Sequence, residues 1–348
     1  MNLHQAYIEA NLYNHILSVC SEESKRYAYN PDTEKNIVVI DKDGNEYARI
    51  PMTKFLTESK LLFEIIKASL QRSFAVPGTE CFMSKIGCAK LNSPTKDNAD
   101  IHIVIHDLRT NMTPMLGFCI KSMLGKDSTL FNYSEGTNIT YKITGGITQN
   151  QMGEINQISD QLERMDRIYD LGLDLEFSYY NKENFYCNLQ LVDTLFPEIM
   201  AELVRLYFYR ESDTTSVKSL LNLLQERNTF GISNAETFYP YKMKQFLVYV
   251  ALGMTATDPW NGRYDANGGY IVVKKDGDIV CYHFYDRNDI EDYLFNNTRF
   301  DNPSRDRCGG WGSVFKGDDD NFFITLNFQI KSLNNKQRIT QRIRVPRS

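Results

Sequence analysis

Apolar residues recur along this chain at two spacings, and each spacing predicts one kind of secondary structure. Recurrence at every third and fourth residue places apolar side chains on one face of a helix. The clearest case is residues 150–171, where the pattern predicts a single amphipathic helix that ends at Gly172. Further helices are predicted over residues 7–20, 57–71, 197–210, 216–227 and 240–254.

Period-two alternation and turn sequences predict the strands. Asp43-Gly44-Asn45 and Asp276-Gly277 separate short apolar runs, so hairpins are predicted over residues 37–50 and 270–282. Isoleucines at 101, 103 and 105 mark a strand, and residues 116–122 a second one. Residues 100–122 are therefore predicted to form a third hairpin. A late strand is predicted over residues 322–330.

Composition narrows the class of protein without identifying it. The chain has 348 residues, 42% of them hydrophobic and 24% charged, as in ordinary globular proteins. No apolar run approaches the roughly 18 residues of a membrane helix, and the first residues lack a secretory pattern, so a cytoplasmic protein is expected. The seven cysteines are scattered without a CxxC pair, which argues against disulfides and structural zinc and predicts reduced, mostly buried thiols.

The chain is divided into four predicted segments, although no repeat or low-complexity linker marks a sharp boundary. They are an N-terminal helix and hairpin (residues 1–56), a core with a helical region (57–254), a β-rich C-terminal region (255–330) and a basic tail (331–348). The net charge of −5 counts mildly against a nucleic-acid partner, because phosphate neutralisation needs Lys and Arg. An acidic exterior can nevertheless coexist with a basic cleft. The tail is either an arm that contacts nucleic acid or a solvated end.

One hairpin brings together side chains suited to phosphodiester hydrolysis. Asp100 begins its first strand, while Cys119 and Lys121 lie near the end of its second, so an antiparallel pairing places them side by side. Cys119 and Lys121 share a face by alternation. A carboxylate can hold a hard divalent ion that polarises a phosphate, and a lysine can stabilise the developing charge. Asp107 is the competing carboxylate, but it falls at the predicted turn, far from Lys121.

This arrangement alone is a weak signal. An Asp and a Lys on neighbouring strands most often form a surface ion pair that contributes little. His102 and His106 have the same parity as Asp100, so they are candidates for lining the same cleft. An ordinary structural role for both histidines is the alternative.

The segments around the hairpin carry a resemblance to a known family. The stretch Gly117-Phe118-Cys119-Ile120-Lys121-Ser122 is followed by blocks at residues 129–134 and 137–138. Together they resemble the HpaII family of type II restriction endonucleases. Later blocks with the same resemblance lie at residues 251–254, 258–262, 268–270, 276–277, 292–294, 297–298, 303–304 and 326–330. The resemblance spans roughly residues 80–330, leaves the first 50 residues unplaced, and suggests that the basic tail extends past the usual family end.

The resemblance implies an α/β (α+β) fold with a PD-(D/E)XK nuclease core, which is a mixed sheet flanked by helices. It implies Mg²⁺-dependent cleavage of double-stranded DNA within a restriction–modification system, with a separate methyltransferase that protects host DNA. The family's namesake reads CCGG. A palindromic site suits a two-fold homodimer, although some such enzymes act as monomers on each strand in turn.

Carried onto this chain, the resemblance makes Asp100 the first acid and Lys121 the lysine of the motif. Cys119 occupies the usual Glu position, which is a departure because a thiol is a soft ligand and would hold Mg²⁺ poorly. Close relatives often carry Ser at that position. The metal would then rest on Asp100 and the Ile120 carbonyl with phosphate and water, or on a further acid, for which Glu64 and Glu80 are the candidates.

Two groups of residues are candidates for reading DNA. Short polar side chains after the catalytic strand suit base edges: Ser122, Asn132, Ser134, Thr137 and Asn138. Guanine contacts are expected from basic residues of the C-terminal part: Arg263, Lys274, Arg287, Arg305 and Arg307. For each basic residue, an ordinary surface charge is the alternative. Two other readings of the whole chain stay open: a PD-(D/E)XK nuclease with another nucleic-acid substrate, and a catalytically silent DNA-binding module.

Overall fold

A computed structural model describes most of the chain, and contacts divide it into two compact units. The described residues are 14–20, 26–28, 35–41, 43–69, 75–88, 99–107, 112–124, 128–212, 214–264, 266–283, 287–303, 311–318 and 320–333. The first unit combines Met1–Ser128 with Tyr264–Ile290, and the second combines Thr129–Arg263 with Glu291–Ser348. Each unit is therefore assembled from two separate stretches of sequence.

An eight-stranded mixed sheet forms the centre of the first unit. Its strands are β1 (Asn14–Cys20), β2 (Arg26–Ala28), β3 (Asn36–Ile40), β4 (Glu46–Pro51), β5 (Ile101–Asp107), β6 (Met115–Ser122), β10 (Gly269–Val273) and β11 (Ile279–His283). They are ordered β11-β10-β6-β5-β1-β2-β3-β4. Neighbours in this sheet are antiparallel except β6 and β10, which run parallel. The three predicted hairpins, β3–β4, β5–β6 and β10–β11, are confirmed.

Two helices belong to the first unit, α1 (Met52–Ala68) and α2 (Pro77–Lys85). Phe55 of α1 meets Phe82 of α2 edge to face, with ring centroids 5.1 Å apart. Phe82 belongs with Val39 and Ile86 to a small buried cluster that joins the helices to the hairpin β3–β4. This cluster gives α1 a contact although none of its residues is fully buried.

Two predictions for the first unit are wrong in part. A helix was predicted over residues 7–20, but Asn14–Cys20 is a strand that pairs with β2 and β5; residues 7–13 lie outside the described residues. The ladder with β5 decides the conformation, and that partner is remote in sequence. Helix α1 begins at Met52 rather than at residue 57, and its Leu61 is 49% exposed.

The second unit contains two antiparallel sheets and a set of helices. Its strands are β7 (Thr129–Phe131), β8 (Ile139–Thr144), β9 (Asp174–Tyr180), β12 (Thr298–Asp301), β13 (Val314–Lys316), β14 (Phe322–Leu326) and β15 (Gln329–Ser332). The sheets are ordered β12-β15-β7 and β13-β14-β8-β9. Its helices are α3 (Gln149–Gln157), α4 (Gln161–Asp170), α5 (Glu183–Gln190), α6 (Phe196–Phe208), α7 (Val217–Arg227) and α8 (Ala235–Ala251). A further helix, α9 (Arg287–Asn296), crosses the division between the units along the chain.

Aromatic side chains fill the core of the second unit. Phe131 of β7 contacts the rings of Phe185, Phe246 and Phe328 at centroid distances of 5.4, 5.7 and 5.9 Å. Helix α6 is buried along most of its length, as its run of apolar residues requires. Burial of large apolar side chains of this kind is the main source of folding stability.

The periodic pattern misses a break at two places in the second unit. The helix predicted over residues 150–171 is interrupted, because the Asp160 carboxylate accepts hydrogen bonds from the backbone N–H groups of Leu162 and Glu163 at 2.9 and 3.0 Å. It therefore starts a new helix, which Gly172 follows with a positive φ of 77°. The strand predicted over residues 322–330 is likewise divided into β14 and β15.

The fold is a mixed α+β arrangement, as predicted. The contact-based units group the hairpin β10–β11 with β1–β6, whereas the sequence-based segments placed it in a separate C-terminal region. Five cysteines whose side chains are described form no disulfide, namely Cys81, Cys88, Cys119, Cys187 and Cys281, and the prediction of mostly buried thiols is wrong for them because only Cys119 is buried. No helix within the described residues is long and apolar enough to cross a membrane.

Candidate active site

Strand β6 lies between two partners and carries the predicted catalytic residues. Its antiparallel pairing with β5 places Phe118 opposite Ile101, and its parallel pairing with β10 places Cys119 beside Tyr270 and Lys121 beside Val272. Cys119 and Lys121 share one face of the strand. The predicted geometry of the hairpin is thus confirmed at the level of the backbone.

Asp100 lies directly against this strand. Its backbone N–H donates to the Phe118 carbonyl at 2.9 Å, and its Oδ2 accepts a hydrogen bond from the Ile120 N–H at 2.6 Å. The two bonds reach the residues on either side of Cys119. The carboxylate is therefore held beside the peptide that joins Cys119 to Ile120, one residue before Lys121. A charged acceptor makes this a short and strong hydrogen bond.

Asp107, the competing carboxylate, lies at the opposite end of β5. Its backbone pairs with Asn14 on β1, whereas β5 pairs with β6 only from Ile101 to Val104. Seven residues of strand separate Asp107 from Asp100, which is about 20 Å at the usual rise per residue. The preference for Asp100 agrees with this geometry.

The exposure of the residues on β6 differs from one position to the next. Cys119 is 6% exposed, Ile120 is 36% exposed and Lys121 is half-buried, while Asp100 is exposed. The side chains of Asp100 and Lys121 are therefore both accessible, at least in part, to solvent. The buried thiol fits a position used for packing.

The proposed further acids are not assembled with Asp100 into a ready metal cage. Glu80 has a local role, because its Oε1 accepts the Val76 N–H at 3.0 Å at the start of α2. Glu64 is an exposed residue of α1. Within the stretches of chain described by the structure, no three His, Cys, Asp or Glu side chains form a group that could hold a metal ion. The prediction that Glu64 or Glu80 completes the site therefore gains no support.

The segment before β10 contacts β6 in a way that the sequence did not suggest. Asn267 accepts a hydrogen bond from the Gly117 N–H at 2.8 Å through its Oδ1, and the Gly268 N–H donates to the Gly117 carbonyl at 2.7 Å. A Cβ atom on Gly268 would lie 2.5 Å from the Phe118 ring. The resemblance included Gly268 and Gly269, and this close approach is the physical reason for a small residue at position 268.

His283, at the end of β11, contacts Phe118 of β6. Its ring meets the Phe118 ring edge to face at 5.4 Å, and its Nδ1 is buried without a hydrogen-bond partner among the described residues. Burial lowers the pKa of His283 below its ordinary value. Its burial against Phe118 therefore favours a role in packing. His102 is half-buried opposite Gly117, and the side chain of His106 lies outside the described residues.

Comparison with known proteins decides the family. The family model for the HpaII restriction endonuclease matches residues 4–332. The chain is also 41% identical over 326 residues to the type II restriction enzyme HpaII of Haemophilus parainfluenzae, covering 91% of this chain and 88% of that protein. The chain belongs to the HpaII restriction endonuclease family. No solved structure matches it.

Membership in the HpaII family confirms the resemblance and the prediction of a type II restriction enzyme. The match is longer than predicted, because it starts at residue 4 rather than near residue 80. The first 50 residues, which the sequence blocks left unplaced, therefore belong to the family as well. The match ends at residue 332, as predicted for the basic tail.

Within this HpaII-family chain, three of the polar residues predicted to read DNA form a network inside the second unit. Asn327 is fully buried and donates to the Ser134 carbonyl at 2.8 Å and to Asn138 Oδ1 at 2.6 Å. The Thr137 hydroxyl contacts Asn327 Oδ1 at 3.1 Å. Thr137 is 0% exposed and Asn138 is 7% exposed. Burial of Thr137 and Asn138 in this network argues against their prediction as base readers, whereas Ser134 is half-buried and enters the network only through its backbone, so its prediction remains a prediction.

The other predicted DNA contacts lie in different settings. Asn132 and Arg263 are exposed, and Lys274 and Arg287 are half-buried. Ser122 ends β6, where its hydroxyl accepts the Leu124 N–H at 3.2 Å. Arg305 and Arg307 lie outside the described residues. Exposure at Asn132 and Arg263 is compatible with a contact to DNA, and these predictions remain predictions.

Proposed function

We propose that this enzyme is a Mg²⁺-dependent endonuclease that cuts double-stranded DNA at a short, specific, palindromic site, with CCGG as the first candidate. The reaction centre would lie on a PD-(D/E)XK-type core, at Asp100 and Lys121. The observation that carries the proposal is the Asp100 carboxylate held at 2.6 Å from the Ile120 N–H on the strand that presents Lys121. In a family of restriction endonucleases, this pairing supplies the two charges that phosphodiester hydrolysis needs.

The two charged residues have separate tasks in this proposal. Asp100 offers a hard, anionic oxygen ligand that the strand fixes in place, because one of its oxygens is already bonded to the backbone. Lys121 places an ammonium group beside the scissile phosphate, where it stabilises the negative charge that grows as water attacks phosphorus and one P–O bond breaks. Cys119 between them would have no chemical task.

The donor set fits magnesium held largely by the substrate. Mg²⁺ is commonly bound through one or two carboxylates together with substrate phosphates and water. Asp100 and the Ile120 carbonyl would supply the protein ligands, and a buried thiol at Cys119 is too soft to contribute. When bound, the ion polarises the phosphate and lowers the pKa of a coordinated water.

The remaining tasks would fall to exposed residues and to assembly. Asn132, Arg263, Lys274, Arg287 and Ser122 are the proposed contacts to bases or phosphates. A palindromic site would be served by a homodimer, or by a monomer that cuts each strand in turn. A separate methyltransferase would protect host DNA in the cytoplasm without being a stable subunit.

Plasmid cleavage tests the proposal directly. Purified enzyme is incubated with unmethylated plasmid and Mg²⁺, and the DNA ends are sequenced. Discrete ends at one short sequence are expected. Scattered ends would indicate a nuclease of another substrate class, and intact plasmid that is nevertheless bound would indicate a silent DNA-binding module.

A matched pair of lysine variants tests the centre itself. Lys121→Ala should still bind the plasmid without Mg²⁺ but lose cleavage by about 10³-fold, because a charge stabiliser of the transition state is removed. Lys142→Ala is the control, since Lys142 is a half-buried strand lysine in the second unit. Normal cleavage by Lys121→Ala would exclude the assigned centre even if the enzyme proved to be a restriction endonuclease.

A further inference from the structure

We propose that Asn267 is a positioning residue that fixes the catalytic strand from its second edge. This inference rests on the proposed function, because it assumes that Lys121 on β6 takes part in cleavage. Asn267 lies two residues before the first residue of β10, and its side chain bonds to β6 rather than to its own strand.

The contact replaces a missing ladder hydrogen bond. The parallel pairing of β10 with β6 begins at Gly269 opposite Phe118, so Gly117 lies just beyond the regular ladder. Asn267 Oδ1 accepts the Gly117 N–H at 2.8 Å, and the Gly268 N–H donates to the Gly117 carbonyl at 2.7 Å. Both polar groups of the Gly117 backbone are thus bound by two consecutive residues.

Asn267 and Asp100 act on opposite edges of the same short stretch. Asp100 on the β5 side binds the residues that flank Cys119, and Asn267 on the β10 side binds Gly117. Lys121 lies four residues beyond Gly117 on the same strand. Asp100 and Asn267 therefore hold β6 in place against both of its neighbouring strands, β5 and β10.

The close approach of Gly268 to β6 makes the pairing of β6 with β10 sensitive to small displacements. Gly268 leaves no room for a Cβ, which would lie 2.5 and 2.7 Å from two atoms of the Phe118 ring and 2.8 Å from the Gly117 carbonyl oxygen. If the acceptor on Asn267 is lost, the Gly117 N–H turns to water, and only the bond from the Gly268 N–H still ties Gly117 to the segment before β10. A displacement of about 1 Å at a reacting group can cost roughly 10²-fold in rate.

A purely structural role is the competing explanation, and a matched asparagine separates the two. Asn156 makes the same kind of bond in the second unit, where its Oδ1 accepts the Val314 N–H at 2.8 Å and its Nδ2 donates to the Val314 carbonyl at 2.7 Å. Asn156→Ala removes two such bonds and should lower stability at least as much as Asn267→Ala. It should leave the cleavage rate of the folded enzyme unchanged.

The experiment compares Asn267→Ala, Asn267→Asp and Asn156→Ala with wild type and Lys121→Ala. Single-turnover cleavage of unmethylated plasmid is measured with enzyme in excess, at a temperature where melting curves show each protein folded. Plasmid affinity is measured without Mg²⁺. We expect Asn267→Ala to cleave about ten-fold slower or worse with affinity changed less than two-fold, and Asn267→Asp, which keeps the acceptor, to return to within about three-fold of wild type.

Every outcome of this experiment either supports or overturns the inference. Cleavage at the wild-type rate by Asn267→Ala, failure of Asn267→Asp to restore it, or an equal loss in Asn156→Ala would overturn the inference. Absence of folded Asn267→Ala protein would make Asn267 a folding residue and would overturn it too. An active Lys121→Ala enzyme would instead remove the proposed centre, which distinguishes failure of the function from failure of the positioning role.

Discussion

Two regions of the molecule use the same kinds of polar side chain in opposite ways. One is the set of adjacent strands β5, β6 and β10 in the first unit, here called the seam, and the other is the polar network around Asn327 in the second unit. At the seam, exposed Asp100 and Asn267 bind backbone groups of β6 from two edges. In the network, Asn327, Thr137 and Asn138 bind one another where solvent is excluded. A polar residue at a partly open strand is available to a ligand, whereas a polar residue that is satisfied in the core stabilises the fold.

The largest effect that would sharpen this contrast is expected at Asp100. Asp100→Asn keeps an oxygen acceptor for the Ile120 N–H but removes the negative charge, so the fold should remain while the divalent ion loses its ligand. We expect cleavage to fall by about 10³-fold with a melting temperature close to that of wild type. Single-turnover plasmid cleavage and thermal melting are the measurements. A variant that cleaves normally would move the reaction centre elsewhere.

The second effect concerns stability and is expected at Asn327. Asn327→Ala removes the hydrogen bonds that Asn327 makes with the Ser134 carbonyl, Asn138 Oδ1 and the Thr137 hydroxyl in a site closed to water, while Thr137 keeps its bonds to Ser134. The free energy of unfolding should fall by about 2–4 kcal/mol, as measured by urea denaturation. Asn132→Ala, at an exposed position, is the control and should change stability by less than about 0.5 kcal/mol. Equal losses in both variants would erase the distinction between the two regions.

A smaller effect is expected at Cys119, which lies between the two charged residues of the seam. Cys119→Ser should fold and should cleave within about three-fold of wild type, because a buried thiol is a poor ligand for Mg²⁺ and the residues are close in size. Cleavage rates with Mg²⁺ and with Cd²⁺ test this. The thiol would be identified as a ligand if Cys119→Ser were less active than wild type with both ions. The same conclusion would follow if wild type had a Cd²⁺-specific activity that the variant lacked.

The smallest effect is expected on acidification and involves His283. Its folded-state pKa is lowered from 6.5 by burial, so the unfolded chain binds a proton more readily than the folded one. The stability that neutral His283 provides is present above pH 6.5 and is lost as the pH falls below that value. When the pH is lowered from 7.5 to 5.5, the melting temperature of His283→Gln should fall by about one degree less than that of wild type. An identical decline in both proteins would show that other groups control the dependence.

Local sequence signals predicted the parts of this molecule that are fixed by neighbours in the chain. The turn at Asp43-Gly44-Asn45 and the pairing of Asp100 with β6 follow from residues within about twenty positions. The other predictions failed because they depend on partners that are distant in the sequence. Asn327 is 190 residues from Thr137, and the strand at residues 14–20 pairs with β5 more than 80 residues away. Periodicity contains no information about such partners, so buried Thr137 resembled an exposed polar residue.

Helix boundaries failed for a different reason. The apolar spacing over residues 150–171 is continuous, but a single Asp160 carboxylate competes with the helical hydrogen bonds and starts α4. In the candidate site, Asp100 and Lys121 were predicted from spacing and family resemblance, and their backbone pairing agrees with that prediction. Asn267 was missed because its contact with Gly117 spans 150 residues.

The parallel pairing of β6 with β10 has a consequence for synthesis on the ribosome. Residues 123–268 separate the two strands, so one edge of β6 has no partner until all of them have been translated. At about 5–20 residues per second, that interval lasts roughly 7–30 seconds. A nascent chain in this interval lacks the seam at Gly117, and we therefore expect it to be inert toward DNA. An enzyme of this kind would acquire its cutting activity only after Gly269–Val273, in the last quarter of the chain, has emerged.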